Sequence, residues 1–137
     1  MRVLAPLALV LLAALPAAGE HEIWYRYTVL GYVKDAQGRP RPGQRVELVR
    51  DRTGLSYLGD TDADGLYVII ARLGDESAGE TLTLRAGPTA ARLTASFDPT
   101  NHTDERGTRV DFERGRAVER AAAFRATLAG FVGTTRP

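Results

Sequence analysis

The chain has 137 residues, 44% of them hydrophobic and 26% charged, and no cysteine. That length suits one domain and excludes a doubly wound nucleotide-binding fold with a separate substrate domain, or a full barrel enzyme. The missing cysteine excludes disulfides, thiol nucleophiles, zinc ribbons and cysteine-held clusters, and a near balance of 18 basic and 17 acidic residues removes the bulk electrostatic case for nucleic acid.

Arg2 precedes an apolar run at residues 4–15, and Ala17, Ala18 and Gly19 follow as small residues. This order of a positive, an apolar and a small-residue region predicts a signal peptide over 1–19, cut before Glu20. The apolar run is too short for a transmembrane helix, and no cysteine follows it to carry a lipid. The expected location of the mature chain is the periplasm or the exterior.

Beyond the leader the pattern is that of a sheet protein. Residues 25–33 (YRYTVLGYV) are rich in aromatic and β-branched types, with Tyr27, Val29, Gly31 and Val33 on one face and Thr28, Leu30 and Tyr32 on the other. Turn residues at 35–38 and a Pro-containing link at 39–43 lead to a strand at 45–50, with Val46 and Leu48 inward. A turn at 51–54, a short strand at 55–60, a turn at 62–65 and an apolar strand at 66–70 follow. Further strands are expected at 81–84, 91–97 and 108–112, the last after a polar loop at 99–107. Seven short strands so punctuated predict an all-β, seven-stranded Greek-key sandwich over residues 20–113. Its expected core is Val29, Val33, Val46, Leu48, Tyr67, Ile69, Leu82, Leu84, Leu93, Phe97 and Val110.

The period then changes. Residues 116–130 (RAVERAAAFRATLAG) place Ala117, Ala121, Phe124, Leu128 and Phe131 at helical spacing, and Gly130 suits a helix end. Residues 114–137 therefore read as a basic tail with a short C-terminal α-helix. Phe124, Leu128 and Phe131, flanked by Arg116, Arg120 and Arg125, form a candidate partner-docking stripe. The segment is too short and too charged to span a bilayer, which leaves peripheral contact with an anionic membrane as the most a lipid surface is offered.

The strings GYVKDAQGRP (31–40), GQRVEL (43–48) and TDADGLY (61–67) together resemble the carboxypeptidase regulatory-like domain. The resemblance covers about residues 28–112 and implies a seven-stranded sandwich of prealbumin-like topology. It also implies a non-catalytic role, as an appendage that supports a peptidase, packs between domains or presents loops for binding. Asp35, Gly38, Pro40, Gly43, Asp62, Gly65 and Tyr67 are then fold determinants. The physics of the residues agrees: Gly38 and Gly65 suit tight turns, Asp35 and Asp62 accept backbone N–H bonds there, and Tyr67 supplies an aromatic anchor with a hydroxyl near the sheet margin.

Five constellations carry possible chemistry. Asp60, Asp62 and Asp64 before Gly65 match the opening of a calcium loop, but its twelfth position is Ala71 where a bidentate Glu is expected. His21, between Glu20 and Glu22, would need His102 or remote carboxylates to complete a metal site. Ser56, Ser77 and Ser96 have no nucleophile elbow, and the ending GTTRP differs from the tyrosine-arginine-glycine-serine ending of transthyretin-like hydrolases, so no catalytic residue and no cofactor is expected. Trp24 and Tyr25, with Tyr27 and Tyr32, form an aromatic group of the kind a glycan-binding face uses, although alternation sends several to different faces. Asn101-His102-Thr103 matches a glycosylation acceptor that matters only in a eukaryotic secretory setting.

The resulting expectation is a secreted or periplasmic non-catalytic interaction module, such as an accessory subunit of an envelope protein assembly, whose partner is another envelope or secreted protein. The alternative is a carbohydrate-binding or calcium-assisted adhesion module.

Overall fold

The computed structural model describes residues 23–135. The expected leader over 1–19, its cleavage point at Glu20, and His21 lie outside the described residues.

Among the described residues, eight strands and one α-helix follow one another: β1 (Tyr25–Tyr32), β2 (Arg45–Arg50), β3 (Ser56–Asp60), β4 (Leu66–Leu73), β5 (Thr81–Ala86), β6 (Thr89–Thr94), β7 (Arg106–Glu113), β8 (Arg116–Glu119) and α1 (Phe124–Thr135). The strands form two four-stranded sheets, in the orders β4-β1-β7-β8 and β3-β2-β5-β6. Every pairing is antiparallel except that of β1 with β7. The domain is therefore all-β, two sheets in a sandwich-like arrangement, with a short C-terminal helix.

Alternation builds the core. Tyr27, Val29 and Val33 from the first sheet meet Val46, Leu48, Leu82, Leu84 and Leu93 from the second, with Tyr67, Ile69, Val110 and Phe112 completing the cluster. Phe97 packs against it only partly buried. Desolvation, the leading influence, pushes the buried Tyr27 hydroxyl up to about 12.

Side-chain and backbone contacts hold the turns. The Asp35 carboxylate accepts the backbone N–H groups of Gln37 and Arg39, and that of Asp62 accepts those of Asp64 and Leu66. Gly65 sits at φ +79°, where a Cβ would lie 2.7 Å from the Val33 carbonyl oxygen. Pro40 bridges Lys34, and Gly43 takes φ +69°. The Tyr67 hydroxyl donates to the Val110 carbonyl at 2.6 Å. It reaches past Gly31, whose missing side chain leaves that same oxygen room.

The C-terminal segment differs from the sequence reading. The strand count is eight, because Arg116–Glu119, expected as the first turn of the helix, instead pairs with β7. Arg114 and Gly115 both take positive φ, 54° and 71°, the geometry of a tight hairpin turn whose twist matches the flanking strands. That turn returns the chain along β7 before any helix begins; α1 starts at Phe124, after a 3-10 turn at Ala121–Ala123. The helix also runs through Gly130, expected as its end, to Thr135. β1 is buried on both faces: Thr28 and Leu30 are 3% and 0% exposed on the side away from the second sheet. Phe124, itself 3% exposed, lies there over Gly107. The start of α1 thus covers the outer face of its own sheet.

Candidate functional site

β8 is shorter than β7. It pairs only with Val110, Asp111, Phe112 and Glu113, which leaves residues 106–109 of β7 without a strand on that edge. The loop after β6, the 3-10 turn and the first turn of α1 gather around the uncovered half. Between them is a cleft of about 340 Å³ lined by Phe97, Asp98, Arg106, Gly107, Phe124 and Arg125, among others.

Arg106 is the central residue. It stands on β7 in alternation with Thr108, Val110 and Phe112, so its side chain closes the open end of the sandwich. The guanidinium lies between two rings, 4.2 Å from the Phe97 centroid and 4.7 Å from that of Tyr25. Its Nη2 donates to Asp75 Oδ1 at 3.0 Å and to the Asn101 carbonyl at 3.1 Å. Its Nη1 is buried and has no hydrogen-bond partner among the described residues. A buried donor left unpaired costs roughly 1–3 kcal/mol, more where it carries charge. Arg106 also lines a second, smaller hollow of about 140 Å³ with Tyr25, Arg26, His102 and Glu105.

Asp75 joins the cluster from the other side. Its second oxygen lies 2.8 Å from His102 Nε2, and the His102 ring stacks on Tyr25 at 4.7 Å with an interplanar angle of 5°. Partial burial opposes ionisation of Asp75, but the hydrogen bonds from His102 and Arg106 outweigh it and hold the carboxyl below its ordinary value. The loop carrying His102 is ordered by its own side chains. Asp98 accepts from the Thr100 N–H and hydroxyl, and Asn101 Oδ1 accepts from Thr103 and Asp104. A wall built this way is fixed before a ligand arrives, which lowers the cost of binding.

Two further charged clusters are internal ties. Arg50, 4% exposed, forms a two-pronged pair with Glu80 at 2.7 and 2.9 Å and also reaches Ser77. Asp111, 2% exposed, accepts from Arg109, from Arg120 and from the Tyr32 N–H, and Arg109 continues to Thr127 on α1.

The candidates read from the sequence fall as follows. Asp60 is drawn to Arg45 at 2.6 Å and Asp62 caps its own turn; with Asp64 they form no cation cage, and no group of three or more His, Asp or Glu among the described residues does. Of the docking stripe, Phe124 is committed to the domain, while Leu128 and Phe131 are half-buried. Arg120 is paired with Asp111 and Glu113, and Arg125 with Asp104 at 3.3 Å, whereas Arg116 is exposed on β8. The aromatic group disperses: Tyr27 enters the core, Tyr25 supports Arg106, Tyr32 lies beneath Arg109, and Trp24 is 47% exposed. Sequence reasoning missed Arg106, Asp75 and the role of His102. Carrying the alternation of β7 two residues back would have placed Arg106 inward. Nothing in the sequence brings Asp75 near His102.

No protein-family model and no curated protein matches the chain. Among solved structures it is similar to the dioxygenase domain of a dioxygenase carbohydrate-binding protein fusion from the cellulolytic bacterium Streptomyces sp. SirexAA-E. The two are 18% identical over 69% of this chain and 82% of that one, with a TM-score of 0.47.

Proposed function

We propose that this chain is an exported, non-catalytic recognition module, accessory to an assembly of the cell envelope or exterior, and that it binds through the cleft beside the uncovered half of β7. The observation that carries the reading is Arg106, a guanidinium locked between two rings and bearing a buried N–H without a partner in the wall of that cleft. Concave sites that combine apolar walls with a few fixed polar groups are where ligands bind. A non-catalytic role is supported by how the reactive side chains are used: His102 and Asp75 hold the loop to Arg106, and Ser77 lies under the Arg50–Glu80 pair. The leader expected from the sequence over 1–19 supports export. The prealbumin-like reading is supported by the strand order of the two sheets, the parallel β1–β7 pair and the turn motifs around Asp35 and Asp62.

The test is affinity capture from envelope extract with the mature chain and with a Glu105→Arg variant, which alters the rim of the cleft and leaves the core alone. Recognition through the cleft requires a retained component that the variant loses while its melting temperature stays the same. Equal retention by both proteins contradicts it.

A further inference from the structure

Resting on that recognition reading, we infer that the cleft takes a neutral, polyhydroxylated ligand, a sugar residue of a glycan, with a hydroxyl oxygen of the sugar accepting from Arg106 Nη1. The lining carries three carboxylates, Asp98, Asp104 and Glu105, against two guanidiniums, Arg106 and Arg125. Arg106 is already neutralised by Asp75, Arg125 by Asp104 and Glu105 by Arg26, which leaves Asp98 as the carboxylate of the lining without an ion-pair partner. An anionic ligand therefore meets surplus carboxylate rather than surplus cation, and a cationic one leaves the Nη1 donor unsatisfied.

A hydroxyl group meets both demands, since it accepts through its lone pairs and donates through its proton. One sugar hydroxyl accepts from Arg106, and its neighbours donate to the rim carboxylates. The rest of the lining suits the carbon skeleton. Phe97, Ala121 and Ala122 offer apolar surface against which the C–H face of a pyranose packs. Arg106 Nη1 exposes almost no surface in the unliganded arrangement. Access to it therefore requires the Phe97 ring, which is only partly buried, to turn aside on binding.

The test is a ¹⁵N-correlated NMR titration of the mature chain with soluble neutral hexasaccharides of β-1,4-linked glucose, mannose and xylose, with an oligogalacturonate as the acidic comparison. The expected result is saturable shifts of the amides of Gly107, Ala121 and Ala122 with at least one neutral oligosaccharide. Glu105→Gln and Arg106→Gln should each weaken its binding by about tenfold, the equivalent of a lost hydrogen bond. Should Arg106→Gln fail to fold, Glu105→Gln and Phe97→Leu decide the question. No shifts with any neutral oligosaccharide, shifts that map away from the cleft, or stronger binding of the acidic one each overturn the inference. A component captured from extract in a Glu105-dependent manner, with no oligosaccharide response, overturns the ligand class while leaving the recognition reading in place. Capture that is insensitive to the cleft overturns both.

Discussion

Phe124 lies against Gly107 so closely that a Cβ on the glycine would sit 2.6 Å from the ring. This contact fixes the start of α1 onto the outer face of β1 and β7. It also separates the helix into an anchored first turn and a half-buried remainder.

Phe124→Ala should lower stability by about 3 kcal/mol, toward the low end for removing a buried aromatic ring. Leu128→Ala should change it by less than half as much. Thermal melts of the two variants measure this directly, and equal effects would mean that the helix is not anchored at Phe124. Deleting residues 116–137 should be more damaging than either, because it removes β8 along with the helix.

Gly65→Val meets two penalties at one position. The φ of +79° disfavours any side chain, and a Cβ would press on the Val33 carbonyl. A loss of about 1–3 kcal/mol is expected from the backbone strain alone. Chemical denaturation gives the value, and an unchanged midpoint would remove Gly65 from the residues that determine the turn.

Arg50→Ala should cost about 3–5 kcal/mol, because it leaves Glu80 charged, buried and unpaired. Replacing both partners, as Arg50→Met with Glu80→Leu, should recover most of that loss. Failure of the double variant to recover would show that Arg50 acts through contacts other than Glu80.

The same carboxylates set the acid limit of the fold. The hydrogen bond from Arg50 holds Glu80 below its ordinary 4.5. For Asp111, burial opposes ionisation, but Arg109, the Tyr32 N–H and Arg120 outweigh it and hold the group below 3.8. A carboxyl lowered in the folded state contributes stability that is complete above its unfolded pKa and disappears as pH falls through the folded one. The melting temperature should therefore be level above about pH 5 and drop below about pH 4. The Arg50→Met, Glu80→Leu protein should show a shallower drop; an identical profile would assign the acid limit to other groups.

Much of this architecture is legible in the chain because alternation and turn chemistry are local. The inward set from Val29 to Val110 and the capped turns at Asp35 and Asp62 follow from spacing that a reader can count. β8 escaped because RAVERAAAF suits helical periodicity, while the Arg114-Gly115 turn that makes it a strand is only two residues long. The site escaped for a different reason. Arg106 reads as one more charge at the end of a polar loop until β7 is extended to include it. Asp75 is 27 residues from His102, a pairing that only the folded chain sets.

Recognition at the cleft is tested most directly by where the protein touches other molecules in the living cell. A photo-crosslinking residue placed at Glu105, on the rim of the cleft, is compared with one at Arg85, exposed on the outer face of β5 in the second sheet. The account predicts a discrete adduct from position 105, none from position 85, and loss of the first adduct when Phe97→Leu is added. Adducts of equal yield from both positions, or from 85 alone, would contradict recognition at the cleft.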